Sequence, residues 1–134
     1  MSDELHDAET LRAIVVDDSR AVRMILGKIL REMGYDVVEA GDGADALSKL
    51  HELDHCEIAL VDWNMPNMNG IEFIQAVRSL PEWEDLRILM VTSESDASNV
   101  ALALEVGADE YAMKPFDRDI IAEKLELLGV GVGV

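Results

Sequence analysis

A strand, an acid and a turn follow one another in the stretch Ile58-Ala-Leu-Val-Asp-Trp-Asn-Met-Pro-Asn-Met-Asn-Gly70. The four apolar residues at its start are typical of a strand buried on both faces. The strand ends in the carboxylate of Asp62, and a helical pattern begins at Ile71 after a turn rich in Asn, Pro and Gly. Ligands of open parallel α/β sheets sit beyond the carboxyl ends of the strands. We therefore expect chemistry at Asp62, although a lone Asp here would more often cap the turn.

The same succession of strand, turn and helix recurs along the rest of the chain. Apolar runs predict further strands at 12–16, 35–40, 87–92 and 110–113, and the mixed polar and apolar pattern of 35–40 favours an edge position. Apolar residues at helical spacing predict five helices, the first capped by Ser19 and the last by Asp117. This alternation predicts an α/β fold, a parallel sheet with helices on both faces and right-handed crossovers. The first helix should bury Val22, Ile25, Leu26, Ile29, Leu30 and Met33.

Composition restricts the classes of function. The 134 residues suit one domain, and an apolar fraction of 49% is ample for a core. Eleven basic against 28 acidic residues give a net charge of −17, which opposes binding to nucleic acids and to anionic membranes. No apolar run approaches the roughly 20 residues that span a bilayer, and the acidic start of the chain does not resemble a signal peptide. We expect a cytoplasmic protein, consistent with its single cysteine, Cys56.

Polar groups follow four of the five predicted strands. Asp17 and Asp18 follow the first, Asp62 the third, Thr92 ends the fourth and Lys114 follows the fifth. Because parallel strands end at one edge of the sheet, three carboxylates, a hydroxyl and an ammonium group should meet there. Three carboxylates do not stay ionised at close quarters without compensation, and one lysine offsets only one charge. Oxygen ligands of this kind predict a hard cation, Mg²⁺ in preference to Ca²⁺.

A cation, a lysine and a hydroxyl together suit the chemistry of a phosphoryl group. Mg²⁺ and Lys neutralise phosphoryl oxygens, and a carboxylate can act as the nucleophile that forms an acyl phosphate. The pattern Asp17-Asp18, Asp62, Thr92 and Lys114-Pro115 resembles the receiver domain of bacterial two-component response regulators, over Leu11 to about Leu128. Within that family, the segment from Asp62 to Gly70 is similar to the single-domain chemotaxis regulators of the CheY type.

The resemblance implies a fold and a set of roles. The fold would be flavodoxin-like (CheY-like), with strand order 2-1-3-4-5 and five helices. Asp62 would accept a phosphoryl group from a histidine kinase, and Mg²⁺ would be bound by Asp17, Asp18, Asp62 and the backbone carbonyl of Asn64. The domain would span 11–128. Independently of the resemblance, the acidic composition of 1–10 predicts a mobile arm, and the Gly-Val repeat at 129–134 predicts a flexible tail.

Other roles implied by the resemblance concern the response to phosphorylation. Thr92 and Lys114 would contact the bound phosphoryl group, Thr92 and Tyr111 would form the switch, and the peptide bond before Pro115 would be cis. Asn64 and Glu94 occupy the positions that tune dephosphorylation in the family, and both match the CheY-like type, so we expect a short-lived phosphoryl group. We expect a stand-alone monomer that signals by binding a downstream protein at the face around Tyr111.

Two other functions and one other pathway stay open at this point. A Mg²⁺-dependent phosphatase with an aspartyl-phosphate intermediate would use the same acids, but Asn64 stands where such enzymes need a second acid. A flavin-binding module would share the fold, but Asp17 and Asp18 would repel the flavin phosphate. The acidic start of the fourth helix, Asp96-Ala-Ser-Asn99, departs from the basic stretch of regulators that bind the flagellar switch. A receiver of another signalling pathway is therefore the alternative to chemotaxis.

Overall fold

A computed structural model describes residues 10–94 and 96–130. The predicted arm at 1–10 and tail at 129–134 lie outside this range except for Thr10, Gly129 and Val130. The strands are β1 (Arg12–Val16), β2 (Asp36–Ala40), β3 (Ile58–Val61), β4 (Arg87–Thr92) and β5 (Glu110–Met113). The helices are α1 (Arg20–Glu32), α2 (Gly43–His51), α3 (Gly70–Arg78), α4 (Ala97–Val106) and α5 (Arg118–Leu127), with a short 3₁₀ turn at Pro81–Trp83.

The strands form one parallel sheet in the order β2-β1-β3-β4-β5. The predicted fold class and strand order are therefore confirmed. The central strands β1 and β3 are buried on both faces, whereas β2 is half-buried and lies at an edge, as its mixed composition predicts. The second strand begins at Asp36 and not at Tyr35, because the Tyr35 amide still donates to the Leu30 carbonyl at the end of α1.

Two apolar layers cover the sheet, one on each face. Helices α1 and α5 cover one face through residues such as Leu30 and Ile121, and α2, α3 and α4 cover the other through residues such as Leu50 and Phe73. Not every apolar residue of the predicted stripe on α1 is buried: Ile25 is 52% exposed. Its position is about 100° around the helix from Leu26, so it projects past the sheet toward solvent.

Local signals at the helix ends explain where the helices begin. The Ser19 hydroxyl accepts a hydrogen bond from the Val22 amide, and the Asp117 carboxylate accepts one from the Ile120 amide, as the sequence predicts. At the start of α3, Asn69 and Glu72 cap each other's backbone in a reciprocal capping box. That helix starts directly beneath Asp62: a Cβ atom on Gly70 would collide with the Asp62 carbonyl, so the approach requires glycine.

None of the described helices combines the length and the apolar character that crossing a bilayer requires.

Candidate functional site

The carboxyl ends of β1, β3 and β5 bring two acids and a lysine into contact. The Lys114 ammonium nitrogen lies 2.9 Å from Asp17 Oδ2 and 3.1 Å from Asp62 Oδ2. Asp17 is 2% exposed and Asp62 is 9% exposed, whereas Asp18 projects into solvent. The peptide bond between Lys114 and Pro115 is cis, as the resemblance implied. The predicted convergence of these side chains at one edge of the sheet is what the structure shows.

The three acids form a group that could hold a metal ion. Asp17, Asp18 and Asp62 each offer one carboxylate oxygen, and these oxygens lie within 4.8 Å of one another. The donor set consists of hard oxygen atoms, with no nitrogen or sulfur ligand, which suits a hard divalent cation. An open cavity of about 470 Å³ adjoins the group at Asp18, and its other lining residues are Asn64, Met65, Pro66 and Asn69.

Electrostatics of the cluster follow from burial and from Lys114. Burial raises the pKa of Asp17, while hydrogen bonds from the Ser19 amide and from Lys114 act against that rise. Burial on its own would lower the pKa of Lys114, but hydrogen bonds to Asp17 and Asp62 outweigh it and raise the pKa. The ammonium group therefore stays protonated and offsets part of the acidic charge, and a cation beside Asp18 would offset more of it.

Asp62 is held in a fixed orientation. Its Oδ1 accepts a hydrogen bond from the Trp63 amide at 2.7 Å, and its Oδ2 accepts one from Lys114. Its own amide donates to the Val16 carbonyl at 2.9 Å, which ties the end of β3 to the end of β1. Each oxygen of the Asp62 carboxylate thus has a hydrogen-bond donor, Trp63 for Oδ1 and Lys114 for Oδ2.

Thr92, Glu94 and Tyr111 form a second group beside the cluster. The Thr92 hydroxyl, which is fully buried, accepts a hydrogen bond from the Glu94 amide at 3.3 Å. The Tyr111 hydroxyl donates to the Glu94 carbonyl, and its side chain is 8% exposed. Burial, together with the charges of Glu94 and Asp62, raises the pKa of Tyr111. The backbone of Glu94 therefore connects two side chains that the sequence places on different strands.

Sequence reasoning missed two residues that shape the site. Gly70 allows α3 to start against the Asp62 carbonyl, and Arg23 donates to the Asp17 carbonyl at 2.7 Å. The glycine in the turn after Asp62 was visible in the sequence, but its close approach depends on the packing of α3. For Arg23 the signal was its position: a cation near the amino end of a helix opposes the helix dipole, and the first turn of α1 carries no acid.

Comparisons with known proteins place the chain in a family. The family model described as "Response regulator receiver domain" matches residues 13–126. The chain therefore belongs to the response regulator receiver domains. The "Chemotaxis protein CheY homolog" of Campylobacter jejuni is 40% identical over 125 residues, which cover 92% of this chain and 96% of that protein. "Chemotaxis protein CheY1" of Helicobacter pylori is 38% identical over 119 residues, which cover 88% of this chain and 96% of the relative.

A solved structure agrees with these relatives. The chemotaxis response regulator CheY4 of Vibrio cholerae superposes with a TM-score of 0.84 at 32% identity, covering 89% of this chain and 98% of that one. The chain is thus a CheY-like receiver domain, homologous to chemotaxis response regulators, and it fits a signalling switch of two-component systems.

Proposed function

We propose that this receiver accepts a phosphoryl group on Asp62 from the phosphohistidine of a histidine kinase, and that the modification changes its binding to a partner protein in chemotaxis or a related pathway. The observation that supports Asp62 is its position: it is the acid that directly follows the central strand β3, contacts Lys114 at 3.1 Å and lies beside two further acids. The same region opens to solvent, so a donor can approach.

The transfer step exchanges one bond for another. A carboxylate oxygen of Asp62 forms a bond to phosphorus, the phosphorus–nitrogen bond of the donor breaks, and the imidazole leaves with the electron pair and takes up a proton. Lys114 supplies a positive charge for the phosphoryl oxygens, and Thr92 can rotate its hydroxyl to donate a hydrogen bond to them. Asn64 lacks an acidic proton, which favours a switch over a phosphatase of rapid turnover.

The cation proposed for the site is Mg²⁺. Asp17, Asp18 and Asp62, with the backbone carbonyl of Asn64, would hold it. When bound, it would neutralise phosphoryl oxygens that three carboxylates otherwise repel. The short distances among the three acid oxygens support a shared cation, and the exposure of Asp18 and Asn64 leaves positions for the water ligands that Mg²⁺ retains.

The switch would act through the backbone of Glu94. If the Thr92 hydroxyl turns toward a phosphoryl group on Asp62, the Glu94 amide loses its acceptor, and the carbonyl that holds Tyr111 is free to move. The population of two arrangements at the face around Tyr111 would then depend on phosphorylation. A downstream protein that binds one arrangement better reads the state of Asp62.

The same proposal covers the extent of the domain, its oligomeric state and location, and the lifetime of the phosphoryl group. The receiver domain spans 11–128 and acts as a monomer in the cytoplasm, where the kinase would supply the phosphoryl group. Asn64 and Glu94 lie at the opening of the site and beside Thr92, where they can tune hydrolysis of the acyl phosphate. We expect the phosphoryl group to be short-lived.

Phosphorylation with a small-molecule donor tests the assignment of Asp62. Incubation with acetyl phosphate and Mg²⁺ should add one phosphoryl group to the wild type by intact mass, and Asp62→Asn should abolish the addition. Asp54→Asn is the matched control, because it makes the same change at an exposed acid that pairs with Arg12 far from the cluster. Incorporation that persists in Asp62→Asn would contradict the proposal, as would incorporation that is unaffected by removal of divalent cations.

A further inference from the structure

Arg23 occupies an unfavourable place for a cation on its own helix. It lies one turn into α1, where the positive end of the helix dipole repels it, and the first turn contains no acid. Its side chain is nevertheless only 19% exposed. A long charged side chain held inside in this way must gain contacts elsewhere that outweigh the repulsion.

Those contacts connect the loop after β1 to the edge strand β2. The Arg23 Nη1 atom donates to the Asp17 backbone carbonyl at 2.7 Å, and Nε donates to Glu39 Oε1 at 3.2 Å. The Glu39 backbone carbonyl in turn accepts a hydrogen bond from Lys49 at 2.6 Å. The guanidinium group is therefore fixed from the side of β2 and presents one donor to the loop that carries the acids.

The Asp17 carbonyl belongs to the same planar peptide as the Asp18 amide. Three other hydrogen bonds hold Asp17: its amide donates to the Ala40 carbonyl, and its carboxylate accepts from the Ser19 amide and from Lys114. The bond from the Ser19 amide closes a turn around this peptide, and Arg23 adds the hydrogen bond to its carbonyl oxygen. The two bonds together set the orientation of the peptide plane, which determines where the exposed Asp18 carboxylate points relative to Asp17 and Asp62.

We propose that Arg23, supported by Glu39, is a positioning residue that orients the Asp17–Asp18 peptide so that the three acids share one divalent cation. This inference rests on the proposed function, because it assumes that the acids bind Mg²⁺. Arg23 would not contact the cation itself, because its guanidinium group is bound to the Asp17 carbonyl and to Glu39. Its role resembles that of the outer groups around other metal sites, whose loss typically lowers metal affinity by about 10–100-fold.

An effect of the Arg23 charge and an effect of its positioning predict opposite changes in cation affinity when Arg23 is removed. If Arg23 acted only through its charge, its removal would strengthen cation binding, because a nearby positive charge is lost. If it positions the acids, its removal weakens binding. Arg31 provides the matched control. It lies on the same helix and approaches the same Glu39 at 3.7 Å, but it is 53% exposed and pairs with no other acid among residues 10–94 and 96–130.

The experiment measures Mg²⁺ affinity by titration calorimetry and by Trp63 fluorescence in the full chain. Arg23→Met should weaken Mg²⁺ binding about tenfold, Arg23→Lys should recover part of the loss, and Arg31→Met should leave affinity unchanged or slightly increased. Affinity of Arg23→Met equal to or above that of the wild type would overturn the positioning role. Absence of Mg²⁺ binding by the wild type would overturn the cation site itself, and with it this inference.

A second measurement separates positioning from a general loss of structure. Without Mg²⁺, amide NMR signals of Asp18 and Ser19 should shift in Arg23→Met and stay in place in Arg31→Met, while core signals such as those of β3 are retained in both. If signals of the whole domain shift in Arg23→Met, the residue is a general structural element and the proposal is wrong. Phosphorylation of Asp62 is measured separately, by the intact mass of the wild type after incubation with acetyl phosphate. A failure of the proposed function is therefore distinguished from a failure of the Arg23 role.

Discussion

The Lys114 ammonium nitrogen lies 3.1 Å from Asp62 Oδ2, although 52 residues separate the two in the chain. The contact exists because β3 and β5 are parallel and end at the same edge of the sheet, on either side of β4. The lysine nitrogen is also 2.9 Å from Asp17 Oδ2, so one ammonium group pairs with two nearly buried carboxylates. The stability of the folded protein should therefore depend on that ammonium group.

Replacing Lys114 by Met should destabilise the protein most when no divalent cation is present. The substitution leaves Asp17 and Asp62 facing each other without their hydrogen-bond donor, and we expect a loss of about 1–3 kcal/mol in the free energy of unfolding. Mg²⁺ should restore part of it by binding the folded state. Urea unfolding with and without Mg²⁺ measures both effects. Lys28→Met removes the same charge from an exposed position of α1 and should change stability little; a loss as large as that of Lys114→Met would contradict this explanation.

Gly70→Ala should damage the site through the backbone. A Cβ atom at this position meets the Asp62 carbonyl, which is backbone and has little freedom to move. We expect α3 to shift away from β3 at a cost of about 1–3 kcal/mol, with slower phosphorylation of Asp62 by acetyl phosphate. Gly41→Ala is the control, because the nearest atom to its added Cβ is an Arg23 nitrogen at 3.8 Å, an ordinary contact. Thermal unfolding and phosphorylation rates that are equal in both variants would contradict the prediction.

The sequence predicts the fold well because its signals are local. Apolar runs, caps such as Ser19 and Asp117, and turn residues such as Gly70 each act within a few positions, and topology then brings Asp17, Asp62 and Lys114 to one edge of the sheet. The sequence predicts the start of β2 one residue too early, at Tyr35, because it does not show that the Tyr35 amide donates to the helix that precedes it.

Contacts that depend on packing could not be predicted in this way. Ile25 fits the apolar spacing of α1 yet is exposed, because the sheet covers only part of the helix. The link from Thr92 to Tyr111 through the Glu94 backbone, and the link from Arg23 to the Asp17 carbonyl, join groups whose distance is set by the tertiary structure. No spacing in the sequence encodes a side chain that reaches a particular carbonyl.

Thr92 and Tyr111 should be energetically coupled, because both hold the Glu94 backbone. Thr92→Val removes the acceptor of the Glu94 amide, and Tyr111→Phe removes the donor to its carbonyl. Each should cost about 0.5–1.5 kcal/mol in the free energy of unfolding. Combined, they should cost less than the sum, with a coupling of at least about 0.5 kcal/mol. A double-mutant cycle by urea unfolding measures it, and strict additivity would show that the two side chains act independently.

Cys56 should make the protein less stable at alkaline pH. Its thiol is 7% exposed, and burial raises its pKa to about 12 from 9.0, so the folded state favours the neutral thiol. Above about pH 9 the unfolded chain loses this proton while the folded protein keeps it, so the stabilisation present below that pH is lost progressively as the pH rises toward 12.

The Cys56 thiol should lower the free energy of unfolding by about 1 kcal/mol between pH 8 and pH 10. Urea unfolding at the two pH values measures it, and Cys56→Ala provides the comparison because it removes the thiol and leaves the other groups in place. The variant should lose less stability than the wild type over this range. Part of the decline should remain in it, since burial also raises the pKa of Tyr35 to about 12. An identical pH dependence of wild type and variant would mean that the Cys56 thiol titrates alike in the folded and unfolded chains.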